Sequence, residues 1–410
     1  MDHQEPQQTG TRRFWSDNAA LGLATLVAGL FNTLYSLFLA HALGPFDYGR
    51  VAALNNVVGL FLLPLPIIGL VAIRVGRQPG QRWLVAGTLG LGGSLFLAAV
   101  LLSASLGRNL HLPARLIVLY TVTVVFNFGY ALYMGFLERS RHYRLVGALL
   151  VASSGLGVLC VLLAVTVGRP HPLAWLGVLQ AVAVAALFLG ARHYGESLPA
   201  APPRRLTSTI VATTLGVGTL QAFWGFSDSL WAKAHLNGVD AGLYTGLTTI
   251  GQALPFVVSS LATVMLTAIL DEPQERFKYL SRTLLATLAV AGLFLGVLAL
   301  FPTLLVRLAL GPAFLPMSPL IQRYSDAMAA LSLVVVMTTY GVAVGAYSTM
   351  VGAALGTLIW ILALIPAHTM SMLVNRTLGA MLLTLVLVGG AFLLSQRKNQ
   401  SPASGDRFPS

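Results

Sequence analysis

Charge is the first thing this sequence lacks. Only 9% of its 410 residues are Asp, Glu, Lys or Arg, where a soluble domain carries about 25%. Cysteine is nearly absent too. The single Cys160 cannot close an internal disulfide or build a thiolate metal centre, which leaves it a packing role. Acids number 13 in the whole chain, too few for the carboxylate clusters expected of a membrane polymerase or glycosyltransferase. No G-x-x-x-x-G-K-[ST] loop is present to cradle nucleotide phosphates. No polar stretch is long enough to fold into a soluble catalytic domain. We therefore expect no enzyme, no metal and no other cofactor.

What is there is apolar. Hydrophobic residues make up 56% of the chain and the mean hydropathy is +0.79. No soluble fold of this length hides so much apolar surface, so lipid must be the solvent. Runs of roughly 20 apolar residues, each able to cross a hydrocarbon core as a helix, recur along the chain. We read about twelve: 18–41, 51–73, 83–106, 116–137, 145–167, 172–191, 209–232, 243–270, 283–305, 318–345, 350–367 and 377–395. The first is longer than a secretory leader's apolar core and reads as a retained span. The expected fold is thus an all-α polytopic membrane protein.

The net charge of +12 reports topology rather than a nucleic-acid partner. Segments 12–13, 74–82, 139–144, 192–205, 276–282 and 397–407 hold 17 of the 25 Lys and Arg, and all fall on one side if the spans alternate. By the positive-inside rule that side is the cytoplasm, which puts both termini there. The expected location is a cell membrane, crossed many times. Prolines and charges in RHYGESLPAAPPRRLTS mark a linker at 192–208. The organisation expected is a cytoplasmic tail at 1–17, a six-helix bundle at 18–191, the linker, a second bundle at 209–395 and a cytoplasmic tail at 396–410.

A short turn recurs. HALGPFDYG (41–49) and AHLNGVDAG (234–242) both interrupt long apolar runs. A shift of 193 positions superposes Leu43 on Leu236, Asp47 on Asp240 and Gly49 on Gly242. Beyond the turn, Leu54 meets Leu247, Asn55 and Asn56 meet Thr248 and Thr249, and Val57 meets Ile250. Six spans separate the copies. An even number preserves direction through the membrane, so the halves are expected to be parallel repeats about an axis along the membrane normal. Gly44-Pro45 should end the first span, because Pro cannot continue a helix and Gly admits a left-handed cap. Asp47 should then cap the next helix.

At these residues the chain resembles the Wzx-type polysaccharide-biosynthesis flippases of the multidrug/oligosaccharidyl-lipid/polysaccharide (MOP) exporter superfamily. The similar elements are ALGPFDYG (42–49), a D-x13-G-x-Y pattern running from Asp228 through Gly242 to Tyr244, YMGFLERSRHYR (133–144) and LGPAFLPMSPLI (310–321). The turn GAYSTMVG (345–352) departs from the pattern in lacking a basic residue. The resemblance implies two six-helix bundles of MOP/MATE type, and an activity that moves a polyprenyl-pyrophosphate-linked oligosaccharide from the inner to the outer leaflet by alternating access. Implied partners are that lipid-linked glycan, membrane lipids and polysaccharide assembly enzymes.

A charged head group crosses hydrocarbon only through a polar passage, and ionisable residues within spans cost roughly 2.5–3.5 kcal/mol each on insertion scales. The candidates for substrate contact are Asp228 and Lys233 late in the seventh span and Arg323 and Asp326 early in the tenth. Arg323 and Asp326, three residues apart, share a helix face and could pair. Under the resemblance, Lys233 and Arg323 attract the pyrophosphate, while the carboxylates hold those cations or take up a coupling proton. Asp228 is the acidic position before G-x-Y. The alternative is that all four are interface-level ions that snorkel to water. Asn55 and Gln252, with Asn32, Asn56, Asn127, Gln221, Thr248 and Thr249, could hydrogen-bond sugar hydroxyls or simply join helices. Trp224 and Trp231 could stack on sugar rings or sit at the membrane interface. Pro64, Pro66 and Pro255 would break the second and eighth spans as hinges or as passive kinks. Arg139, Arg141, His142 and Arg144 could gather anionic lipid heads or serve as ordinary positive-inside anchors. A membrane polysaccharide polymerase or glycosyltransferase is the alternative from a different class. A drug or cation antiporter of MATE type is a second reading within the superfamily, but the antiporter would want an acid deep in the N-terminal half. Between residues 18 and 137 the only acid is Asp47, in the turn.

Overall fold

The computed structural model describes residues 5–77, 82–140, 142–199 and 208–400. The ends of the two predicted tails, residues 200–207 of the linker, and Arg141 lie outside the described residues. The described backbone is helical nearly throughout and divides into two compact units, Met1–Leu215 and Gly216–Ser410.

Unit 1 begins with α1 (Glu5–Phe61), whose helical path is interrupted at Gly44 with φ 68° and ψ 176°. That positive φ is open to glycine at no steric cost. Pro45 follows at the first position of the second half, where its missing N–H costs nothing. The remaining elements are α2 (Leu65–Val75), α3 (Arg82–Leu110), α4 (Ala114–Thr121), α5 (Thr123–Arg139), α6 (Tyr143–Thr166) and α7 (Pro172–Glu196).

Unit 2 comprises most of α8 (Ser208–His235), then α9 (Gly238–Gly251), α10 (Ala253–Asp271), α11 (Arg276–Leu300), α12 (Pro302–Ala309), α13 (Ser318–Val344), α14 (Tyr347–Leu364) and α15 (Met370–Gln400). Short 3-10 turns at Pro273–Glu275 and Pro312–Met317 join α10 to α11 and α12 to α13.

The recurring turn is built differently from expectation. Asn237 caps α9, its side chain accepting the Asp240 N–H at 2.8 Å and donating to the Asp240 carboxylate at 2.6 Å. Asp240 therefore sits at the third helical position, not at the cap. Asp47 occupies the corresponding place after Gly44 and pairs with Arg50 at 3.1 Å. An acid in the first turn meets the positive helix end, so the repeated Asp is retained by the dipole while a different residue supplies the cap.

Each unit uses the same packing scheme. In unit 1, α5 packs on α2, α3 and α7, while α1 packs on α6. In unit 2, α13 packs on α10, α11 and α15, and Trp224 of α8 donates to Thr357 of α14 at 2.9 Å. These are equivalent neighbours six spans apart, so the repeat read from the turn is a property of the fold. The central spans are Ala114–Arg139 and Pro312–Val344, with 56% and 61% of their apolar windows buried, against 17–29% for the other candidate spans except the first. Close approach relies on small residues, as expected where lipid tails leave no hydrophobic driving force between helices. A side chain at Gly135 would lie 2.6 Å from Ala72 of α2, and one at Gly251 would lie 2.5 Å from the Tyr324 ring. Exposed apolar residues such as Leu101, Leu293, Leu300 and Val386 then belong to the lipid-facing surface. Buried Cys160 packs in α6.

Nine stretches of the described residues are long and apolar enough to cross a membrane. The other three expected spans are visible for physical reasons. The first stretch, Leu23–Phe61, runs through Gly44 and so merges two. Helix α14 contributes only a shorter apolar run, Ser348–Leu364. Helix α8 carries Gln221, Ser227, Asp228, Ser229 and Lys233, which lower its hydropathy. The ninth span, expected at 283–305, ends earlier: Phe301 departs from helical geometry and Pro302 opens α12. Two other breaks fall within about one turn of matching places. Unit 1 is interrupted at Leu62–Pro64 and unit 2 at Gln252, three residues before Pro255.

Candidate functional site

Unit 2 is built around Asp228. Its residue is wholly buried, and its carboxylate is held by three helices' worth of donors. Oδ2 accepts the Tyr324 hydroxyl of α13 at 2.8 Å and the Tyr244 hydroxyl of α9 at 3.0 Å. Oδ1 accepts the Ser229 N–H at 2.7 Å. The two rings meet edge to face, 5.8 Å apart at 81°. Helix α9 approaches α13 closely because Gly251 lies over the Tyr324 ring. Thus the D-x13-G-x-Y spacing has a geometric meaning: it carries Tyr244 back across the turn to the carboxylate of Asp228. Gln252, at the α9–α10 break, donates to the Gly225 carbonyl at 2.8 Å and ties the break to α8.

The other predicted ions do not gather here. Lys233 is buried five residues further along α8. Arg323 is exposed and donates to the Asn375 side chain of α15 at 3.2 Å. Asp326 accepts from Gln322 at 3.2 Å. The Arg323–Asp326 pair that their spacing allows is not formed; each side chain has a neutral partner instead. Both oxygens of Asp228 are occupied inside unit 2.

Unit 1 has a polar centre of a different kind. The Tyr35 hydroxyl accepts the Asn55 amide at 3.1 Å and the Gln180 amide at 3.0 Å. All three residues are only partly buried. They come from the first half of α1, the second half of α1 and α7. Of these, sequence reasoning singled out Asn55 alone. Tyr35 was detectable, because the 193-residue shift places it on Asp228.

Several other candidates make contacts within or between helices. Trp224 is buried against Thr357 rather than open to a sugar ring. Trp231 stacks on His235, centroids 3.9 Å apart. Asn127 bonds to the Thr123 carbonyl, and Thr248 and Thr249 both bond to the Thr245 carbonyl. Among the described residues, no three His, Cys, Asp or Glu gather as a metal site.

No protein-family model matches the chain, and no curated protein matches it. Solved structures do. A multidrug resistance MATE family transporter of the MOP superfamily, in an inward-facing conformation, superposes with a TM-score of 0.70 at 12% identity, covering 94% of this chain and 100% of that one. The lipid II flippase MurJ, in an inward closed conformation, gives 0.64 at 13% identity over 92% of this chain and 87% of that one. A MOP superfamily transporter from Pyrococcus furiosus gives 0.61 at 13% identity over 93% and 95%. With its repeated packing scheme and its apolar, membrane-length helices, the chain is a multi-pass membrane protein with the fold of the MOP-superfamily transporters.

Proposed function

We propose that this protein moves a polyprenyl-pyrophosphate-linked oligosaccharide from the inner to the outer leaflet of the cell membrane. The observation that carries the reading is Arg323. Its guanidinium is exposed at the start of α13 and rests on a neutral amide, and it takes part in none of the ion pairs among the described residues. An exposed cation with only a neutral amide partner can receive a visiting anion, and a pyrophosphate is such an anion. The fold supports the reading, since a lipid II flippase shares it. The acid-poor spans of unit 1 support it too, because a passage for anions gains nothing from buried carboxylates.

Movement would come from the helix breaks at Leu62–Pro64 and Gln252. They stand within about one turn of corresponding places in the two repeats, where discontinuous helices in transporters commonly flex. Polysaccharide assembly enzymes would then act on the delivered glycolipid.

A second reading, a drug or cation antiporter, draws on one observation: the sealed carboxylate of Asp228, which could take up a coupling proton. The multidrug MATE transporter with the same fold suits it. Reconstitution into liposomes separates the two. The flippase reading expects a labelled polyprenyl-pyrophosphate glycan to change leaflets faster than in empty liposomes, with Arg323→Ala slowing it about tenfold. Proton-driven uptake of a cationic dye, with no movement of the lipid, would instead establish the antiporter.

A further inference from the structure

We propose that Tyr35, Asn55 and Gln180 form an uncharged binding subsite for the hydroxyl groups of a sugar. The inference rests on the flippase reading and assigns the glycan, as distinct from the pyrophosphate, its own place in unit 1.

The argument starts from hydrogen-bond capacity. A phenol oxygen accepts two hydrogen bonds and donates one. Tyr35 already accepts from both amides, so its own proton needs an acceptor that the cluster does not supply. Each amide has spent one N–H on Tyr35 and keeps a second, along with a carbonyl oxygen that accepts two bonds. The cluster therefore presents three donors and two carbonyl acceptors that its internal bonds leave unused. A sugar hydroxyl, donor and acceptor at once, matches that set. An anion would leave the two carbonyl acceptors unused, and a cation would leave the three donors unused.

Position supports the assignment. Tyr35 lies nine residues before Gly44, Asn55 eleven residues after it, and Gln180 eight residues into α7. At 1.5 Å per residue each is roughly 12–17 Å from a helix end. That is near the middle of a hydrocarbon core about 30 Å thick, the depth at which secondary transporters bind substrate. The three residues each keep part of their surface exposed.

Unit 2 supplies the contrast. At the position that repeats Tyr35 stands Asp228, whose oxygens are filled by Tyr244, Tyr324 and Ser229 inside a fully buried core. A cluster that only joined helices would be expected to close in the same way. The one in unit 1 stays open and its bonds are incomplete.

The test measures binding of two lipids to the purified full-length protein in detergent: a short-chain polyprenyl pyrophosphate, and the same lipid carrying N-acetylglucosamine. The wild type should prefer the glycosylated lipid. Tyr35→Phe and Gln180→Ala should each cut that preference about fivefold to tenfold, the loss of one or two hydrogen bonds. Tyr35→Phe removes a single oxygen and keeps the ring's packing, so it folds even if the amide variant does not. A preference that survives both substitutions overturns the subsite while leaving the flippase reading intact. Binding of neither lipid by the wild type overturns both.

Discussion

The two units hold the same position in the same kind of helix and fill it with opposite chemistry. Asp228 in unit 2 is a carboxylate with its acceptors spent on two phenols and a backbone N–H. Tyr35 in unit 1 is a phenol that takes two amide donors and leaves its proton unspent. The first is wholly buried and the second half-buried. The difference teaches that the repeat conserves the scaffold while its polar centre is free to change. A buried charge persists only where donors saturate it, so the centre holding the carboxylate had to close. A neutral centre carries no such requirement and can remain open.

The largest way to break this comparison is Asp228→Ala. It leaves two buried hydroxyls without their acceptor, each costing about 1–3 kcal/mol when unsatisfied, so the loss should be roughly 2–6 kcal/mol. In a thermal melt followed by intrinsic fluorescence in detergent, unit 2 should unfold many degrees earlier. Asp228→Asn keeps an acceptor for the tyrosines and should cost only about 1–2 kcal/mol.

Next in size is the approach of α9 to α13. Gly251→Ala forces a methyl into the Tyr324 ring and should cost about 1–3 kcal/mol as overpacking. Gly225 has nothing within 4 Å of a new methyl, so Gly225→Ala should hold or raise the melting temperature. Equal effects at the two glycines would show that Tyr324 is not wedged as described.

Pro255→Ala sharpens the comparison of the helix breaks. Restoring the missing N–H lets α9 and α10 join as one straighter helix. Leaflet exchange in liposomes should fall several-fold while the melting temperature holds. Unchanged exchange would make the break a passive kink.

The smallest effect belongs to Tyr35→Phe. Its amide partners are half-buried and can turn to water or to other acceptors, so stability should fall by less than about 1 kcal/mol. A loss as large as that of Asp228→Ala would remove the contrast between an open and a sealed centre.

Much of the fold was legible in the sequence, because lipid imposes a length on every apolar run. The 193-residue offset revealed the repeat, and Gly44-Pro45 and the span prolines revealed where helices break. Helix ends were less legible. Hydropathy marks where a helix leaves hydrocarbon, not where it stops, so α1 begins at Glu5 and α11 at Arg276, well before their apolar runs.

The polar centres were only half legible. Asp228 stood out as a charge, but tyrosine reads as part of an apolar span. Tyr324 meets Asp228 from 96 residues away, and Gln180 meets Tyr35 from 145. Nothing in local spacing announces such contacts. The Arg323–Asp326 pairing failed in the converse way: helical spacing made it available, while Arg323 donates to Asn375 on another helix instead.

The central claim is the direction and identity of the cargo, and the most direct measurement is leaflet occupancy in a strain lacking this protein. Lipid-linked oligosaccharide is extracted after a membrane-impermeant reagent has modified only what faces outward. The account predicts that the finished glycolipid accumulates unmodified, facing the cytoplasm, and that its surface polymer disappears. Glycolipid that still reaches the outer face at the normal level would contradict it.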